Sequence, residues 1–110
     1  MLLDFAWKLF YSNTEFLVRA CRIAYFLEFL RNFIGNKPIF ITSGFRSPAL
    51  NTAIGGALES DHLNMLAVDI CFPEMENYKE CLTECFKMYH NVIRYHEIHN
   101  NYIHISFNLF

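Results

Sequence analysis

The chain has 110 residues, enough for one compact domain and too few for two. It reads as a single unit over 1–110, with a helical part at 1–36 and a motif-bearing part at 38–110. Apolar residues make up 54%, with twelve Phe and six Tyr, so a core is easily filled and some aromatic surface is left for a partner or ligand. The net charge of -2 and the lack of a Lys/Arg cluster exclude the electrostatic footprint of nucleic-acid binding.

Met1 to Tyr11 is apolar but broken by Asp4 and Lys8. It has no basic leader and no obvious small-residue cleavage site, so a signal peptide is weakly supported. No apolar run reaches bilayer length, so no membrane span is expected. Ser12-Asn13-Thr14-Glu15 reads as a helix start, with Ser12 or Asn13 as cap and Glu15 in the first turn. The helix should run to about Phe33 and stop at Gly35, ahead of Pro38. Arg19, Arg22, Glu28 and Arg31 are too few for a clean polar face, which predicts burial on most sides.

Pro38 to Thr42 is a short predicted strand, ending at Ser43-Gly44-Phe45-Arg46-Ser47-Pro48. Ser47 to Asp61 contains Gly55-Gly56 and reads as a loop with room for a short helix near Ala49–Ala53. Leu66 to Phe72 is the second strand. Alternation sends Leu66, Val68, Ile70 and Phe72 to the core, and Ala67, Asp69 and Cys71 to the opposite face.

Pro73 opens a second helix, about Glu74 to His90. Asn91 to Ile98 and Tyr102 to Phe107 follow as strands around the turn Asn100-Asn101, because Asn tolerates the left-handed backbone of a two-residue hairpin loop. This register pairs His99 with Tyr102, Ile98 with Ile103 and Glu97 with His104. Tyr95, Glu97, Tyr102, His104 and Ser106 then share one face, and Ile103, Ile105 and Phe107 the other. His96 and His99 are read as bystanders, His99 facing away from His104. Cys21, Cys71, Cys81 and Cys85 form no paired CxxC set and are expected to be reduced thiols, filling buried positions as small apolar groups.

His62, Asp69 and His104 carry the chemistry. Singly, each has an ordinary explanation: a loop imidazole bonded to backbone, a paired carboxylate, a histidine on a polar strand face. A carboxylate within an otherwise apolar strand must be paired, exposed or metal-bound. Two imidazoles and one carboxylate are also the protein ligands of a catalytic zinc, whose fourth position stays open for water. Glu97, opposite His104, is the candidate general base, or else a solvated hairpin charge. Arg46, after a Ser-Gly turn at a strand end, is a candidate clamp for a carboxylate or an oxyanion, or else a surface ion-pair partner.

Ile39-Phe-Ile-Thr-Ser-Gly-Phe-Arg-Ser-Pro-Ala-Leu-Asn51 resembles the opening motif of the zinc D-alanyl-D-alanine carboxypeptidase family, which includes VanX- and VanY-type D,D-peptidases and phage L-alanyl-D-glutamate endopeptidases. Ile54-Gly-Gly-Ala57 with Ser60-Asp-His62 through Ala67-Val-Asp-Ile70 resembles the second motif, and Tyr102-Ile-His-Ile-Ser-Phe107 the third. Within the family, the sequence looks like the short forms carried by bacteriophages. The resemblance implies an α+β fold of the D,D-peptidase/Hedgehog-like kind, a small antiparallel sheet with helices packed beside it. It implies Zn2+ on His62, Asp69 and His104, Arg46 binding substrate or stabilising charge, and loop-shaping roles for Ser60 and Asn51. The implied reaction is hydrolysis of a peptide bond in peptidoglycan stem peptide. An endolysin-like protein would then wait in the host cytoplasm before delivery to the cell wall.

Two positions depart from the family pattern. Met65 stands where Gly is usual, and must avoid a positive φ or adopt it with strain. Asn101 stands where many members carry the catalytic acid, three residues before the last histidine, while other members place it near 95–97. Asn cannot act as a base, so the alternative to an enzyme acting through Glu97 is a zinc-binding, wall-binding or virion structural module without hydrolysis.

Overall fold

The computed structural model describes residues 14–44, 52–55 and 60–108. Helix α1 spans Thr14–Phe33, with Glu15 in its first turn and Arg31 in its last, both complementary to the helix dipole. It is buried along one stripe rather than on most sides. Ala20, Ile23, Phe26, Leu27 and Leu30 face the core, while Val18 and Phe33 are largely exposed and Tyr25 is 82% exposed. Counting charges misses this, because spacings of three and four residues select a face whether or not the other face is polar. Gly35 at φ +83° and Asn36 at φ 62° end the helix in left-handed backbone, as the Gly stop anticipates.

The strands are β1 (Phe40–Ser43), β2 (Ala67–Cys71), β3 (Ile93–Ile98) and β4 (Ile103–Phe107). They form an antiparallel sheet in the order β1-β2-β4-β3. A 3-10 turn at Asp61–Asn64 leads into β2. A second at Met75–Tyr78 precedes helix α2 (Lys79–Met88), so the predicted second helix begins as 3-10 and is shorter than expected. The expected α+β class, a small antiparallel sheet with helices beside it, is the one observed.

One sheet face builds the core. Val68, Ile70, Ile103, Ile105 and Phe107 pack with Ile23, Phe26, Leu30 and Ile34 from the α1 segment and with Leu82 and Phe86 of α2. Phe26 meets Phe107 edge-on at 5.7 Å, tying α1 to the last strand. The hairpin register is the expected one: Ile98 opposes Ile103, Glu97 opposes His104, and Tyr95 opposes Ser106. A bulge between Ile93 and Tyr95 displaces Arg94 from the ladder.

The cysteines only partly follow expectation. All four are free thiols, but only Cys85 is buried; Cys71 is half-buried, and Cys21 and Cys81 are exposed. Burial pushes the Cys85 thiol pKa up, with the neighbouring Cys81 adding to it.

Candidate metal centre

The sheet face opposite the core displays the polar residues. Asp69, on β2, pairs in register with His104 on β4, which brings their side chains side by side. His62 comes from outside the sheet, on the 3-10 turn. The Ser60 hydroxyl oxygen caps that turn by accepting the His62 backbone N–H at 3.2 Å. Arg19 of α1 donates to the Asn64 carbonyl at 2.8 Å, and Arg94 from the β3 bulge pairs with Asp61. The Thr42 hydroxyl donates to the Asp69 carbonyl at 3.2 Å. The turn that presents His62 is thus tied to α1 and β3, and the strand that presents Asp69 is tied to β1.

The three side chains converge. His104 Nδ1 lies 2.8 Å from Asp69 Oδ1, His62 Nε2 lies 3.3 Å from the same oxygen, and the two imidazoles meet edge-on at 5.3 Å. One candidate ligand atom from each of the three residues falls within 4.8 Å of the others. Burial alone would raise the Asp69 carboxyl pKa, but the hydrogen bond to His104, and the bond and charge that each ring offers when protonated, outweigh it. The net effect holds Asp69 well below the usual carboxylate range and keeps it ionised.

The hydrogen-bond pattern around His62 tests whether a cation fits. A backbone carbonyl can only accept, so His62 Nδ1 must donate its proton to the Gly44 carbonyl, 2.7 Å away. In the neutral ring Nε2 is then a bare lone pair. It is buried without a hydrogen-bond partner, alone among the buried side-chain nitrogens and oxygens of the described residues, and it faces a carboxylate oxygen. Two acceptors at 3.3 Å repel each other unless a cation sits between them, either a proton, which makes the imidazolium–carboxylate pair that lowers the Asp69 pKa, or a metal ion. Ligands about 2.0–2.2 Å from a tetrahedral zinc lie roughly 3.3 Å apart, the separation of His62 Nε2 from Asp69 Oδ1, while His104 Nδ1 sits closer to that oxygen, at 2.8 Å. The donor set fits Zn2+, and its convergence places all three groups within reach of one ion. The Gly44 carbonyl orients the His62 ring as an outer-shell partner does.

Glu97 lies opposite His104 in the ladder. Its carboxylate accepts from the Tyr95 hydroxyl and pairs with His99 Nε2 at 2.7 Å. The expectation that His99 faces away is wrong. Residues 95, 97 and 99 share one face by strand alternation, and His99 stacks on Tyr102 with ring centroids 4.4 Å apart. His96, on the other face, packs on Phe86 and takes no part in the cluster. Met65 does adopt left-handed backbone, at φ 55°, with its side chain fully buried. Arg46 and Asn51 lie outside the described residues, as does most of the predicted short helix at 49–53.

Comparison with known proteins decides the ancestry of this arrangement. Residues 8–106 match the family described as Peptidase M15. The chain belongs to that family. No curated protein and no solved structure matches it significantly. Membership makes the chain a peptidase by descent, of a family whose members are metallopeptidases, typically with zinc, and the His62–Asp69–His104 cluster lies within the matched span. Among the described residues no helix is long and apolar enough to cross a membrane.

Sequence reasoning missed the Gly44 carbonyl, because a backbone acceptor leaves no trace in residue identity. It also missed the Asp61–Arg94 pair and the bonds from Tyr95 and His99 to Glu97. The last two were accessible from strand parity alone.

Proposed function

We propose that this M15 protein is a zinc metallopeptidase that hydrolyses a peptide bond in bacterial peptidoglycan stem peptide. The observation that carries the reading is the buried His62 Nε2, without a hydrogen-bond partner and 3.3 Å from the carboxylate that His104 also engages. His62 and His104, with Asp69 between them, would hold the ion. A zinc ion held there would polarise the scissile carbonyl and lower the pKa of a bound water toward neutrality.

Glu97 takes the proton of the attacking water and returns it to the departing amine. Tyr95 and His99 fix the rotamer of its carboxylate, so less orientational freedom is lost on reaching the reactive geometry. Arg46 offers a planar fork of donors to a substrate carboxylate or to the developing oxyanion. Whether the bond is cut from the chain end or internally follows from how the substrate termini are held. Products from stem peptides of different lengths discriminate the two.

The test is hydrolysis of purified stem peptides by zinc-loaded protein, followed by mass spectrometry. The expected result is metal-dependent cleavage that is lost in Glu97→Gln while zinc is retained. Folded, zinc-loaded protein that leaves every stem peptide intact would refute the enzymatic reading. Glu97→Gln cleaving at the native rate would remove Glu97 from the mechanism.

A further inference from the structure

Ser106 is a buried hydroxyl in an otherwise apolar segment of β4, 1% exposed, between Ile105 and Phe107. Strand alternation turns it to the same face as His104, two residues earlier. Its Oγ lies 2.8 Å from His104 Nε2. Both ring nitrogens of His104 are therefore engaged, Nδ1 by Asp69 and Nε2 by Ser106.

The two partners differ in what they can do. An ionised carboxylate only accepts, whereas a hydroxyl accepts or donates by rotating about its C–O bond. With Asp69 as acceptor, the neutral His104 ring carries its single proton on Nδ1. Nε2 is then the acceptor, and Ser106 donates to it. If Nδ1 is to offer its lone pair to a metal, that proton must reside on Nε2, and Ser106 must accept it. At this position an ionised carboxylate could only accept, an ammonium could only donate, and an aliphatic group could do neither.

We propose that Ser106 is a positioning residue for metal loading. Its hydroxyl rotates from donor to acceptor as His104 passes from the Nδ1–H to the Nε2–H tautomer, so that the ring keeps two hydrogen-bonded or ligated nitrogens throughout. One proton changes nitrogen and none is gained or lost. The inference rests on the reading of His62, Asp69 and His104 as a metal site. A buried serine that merely satisfied its own hydroxyl would have no influence on zinc affinity.

Two measurements test it on the full chain. Zinc affinity is read by competition with a chromophoric chelator, and the His104 tautomer by long-range proton–nitrogen NMR at mildly alkaline pH. In the native chain His104 should be Nδ1–H without metal and Nε2–H with zinc. Ser106→Ala should bind zinc about 10–100-fold more weakly, the usual effect of deleting an outer-shell partner, because no acceptor is left for Nε2–H, while its metal-free His104 should stay Nδ1–H on Asp69. Ile23→Val, a core truncation in α1, should lower thermal stability and leave zinc affinity unchanged. Native protein that binds zinc while Ser106→Ala binds it equally well would overturn the role of Ser106 and leave the metal reading intact. Native protein that binds no zinc would overturn both. Should Ser106→Ala not fold, the native spectra alone decide, because one tautomer in both states contradicts the proposal.

Discussion

Met65 closes the 3-10 turn that carries His62, and two opposing effects meet on it. Its backbone is left-handed, at φ 55° and ψ 39°, and its N–H donates to the Asp61 carbonyl. A residue with a Cβ costs about 1–2 kcal/mol in that region relative to the right-handed one. Its side chain is fully buried among the core residues, and removing such a side chain costs about 2–5 kcal/mol. Met65→Ala discards the packing and keeps the strain, so it should lose about 2–5 kcal/mol. Met65→Gly discards the same packing but relieves the strain, less the roughly 0.5–1 kcal/mol of extra freedom that glycine has in the unfolded chain. The glycine variant should therefore be less stable than the native chain yet more stable than the alanine variant, by about 0.5–1 kcal/mol. Urea denaturation of the three proteins, with a common slope, measures this order. At about 4–8 °C per kcal/mol for a domain near this size, melting temperatures resolve it too. Alanine equal to or better than glycine would refute the left-handed assignment. Neither variant falling below the native chain would refute the burial.

Metal binding should stabilise the fold by mass action, about 2.7 kcal/mol when free zinc is 100 times its dissociation constant. A chelator should remove that increment from the native chain and leave His62→Ala unchanged in calorimetry. Burial, helped by the charge of Lys87, lowers the pKa of His96 from its ordinary value near 6.5, so the unfolded chain binds more protons between the two values. Stability should therefore be lost as pH falls below about 6.5, and His96→Gln should flatten that limb of a pH series of melting curves. The Arg94–Asp61 pair is partly solvated, so Arg94→Ala should cost less than about 1 kcal/mol by denaturant titration.

How much of this was legible varies with the physical origin of each feature. The hairpin was readable because local turn chemistry at Asn100-Asn101 and period-two alternation specify one register, and Glu97 then has to stand opposite His104. The partition of β2 was readable for the same reason: one carboxylate interrupts an apolar strand. The placement of β2 between β1 and β4 was not, because strand order depends on pairings between residues far apart in sequence. The exposed face of α1 was misjudged because a scarcity of charged residues reads as burial, whereas Tyr25 and Val18 are apolar on the solvent side. The positive φ of Met65 could be posed as a question from sequence, but only the closed turn answers it.

The candidate centre divides into a rigid part and an adjustable part, and this follows from where its residues sit. Asp69 and His104 are neighbours across a ladder that hydrogen-bonds β2 between two partners, so their separation is set by the sheet. His62 sits on a four-residue 3-10 turn, a short element with weaker internal hydrogen bonds. Its position depends on outside restraints: the Gly44 carbonyl on its ring, the Ser60 cap, Arg19 on Asn64, Arg94 on Asp61 and the buried Met65 side chain. Several of these restraints reach elements that contribute no candidate ligand. Substitutions far from the cluster along the chain can therefore move His62 without touching Asp69 or His104. Their effect on metal affinity should exceed their effect on overall stability, because they release one ligand rather than the sheet.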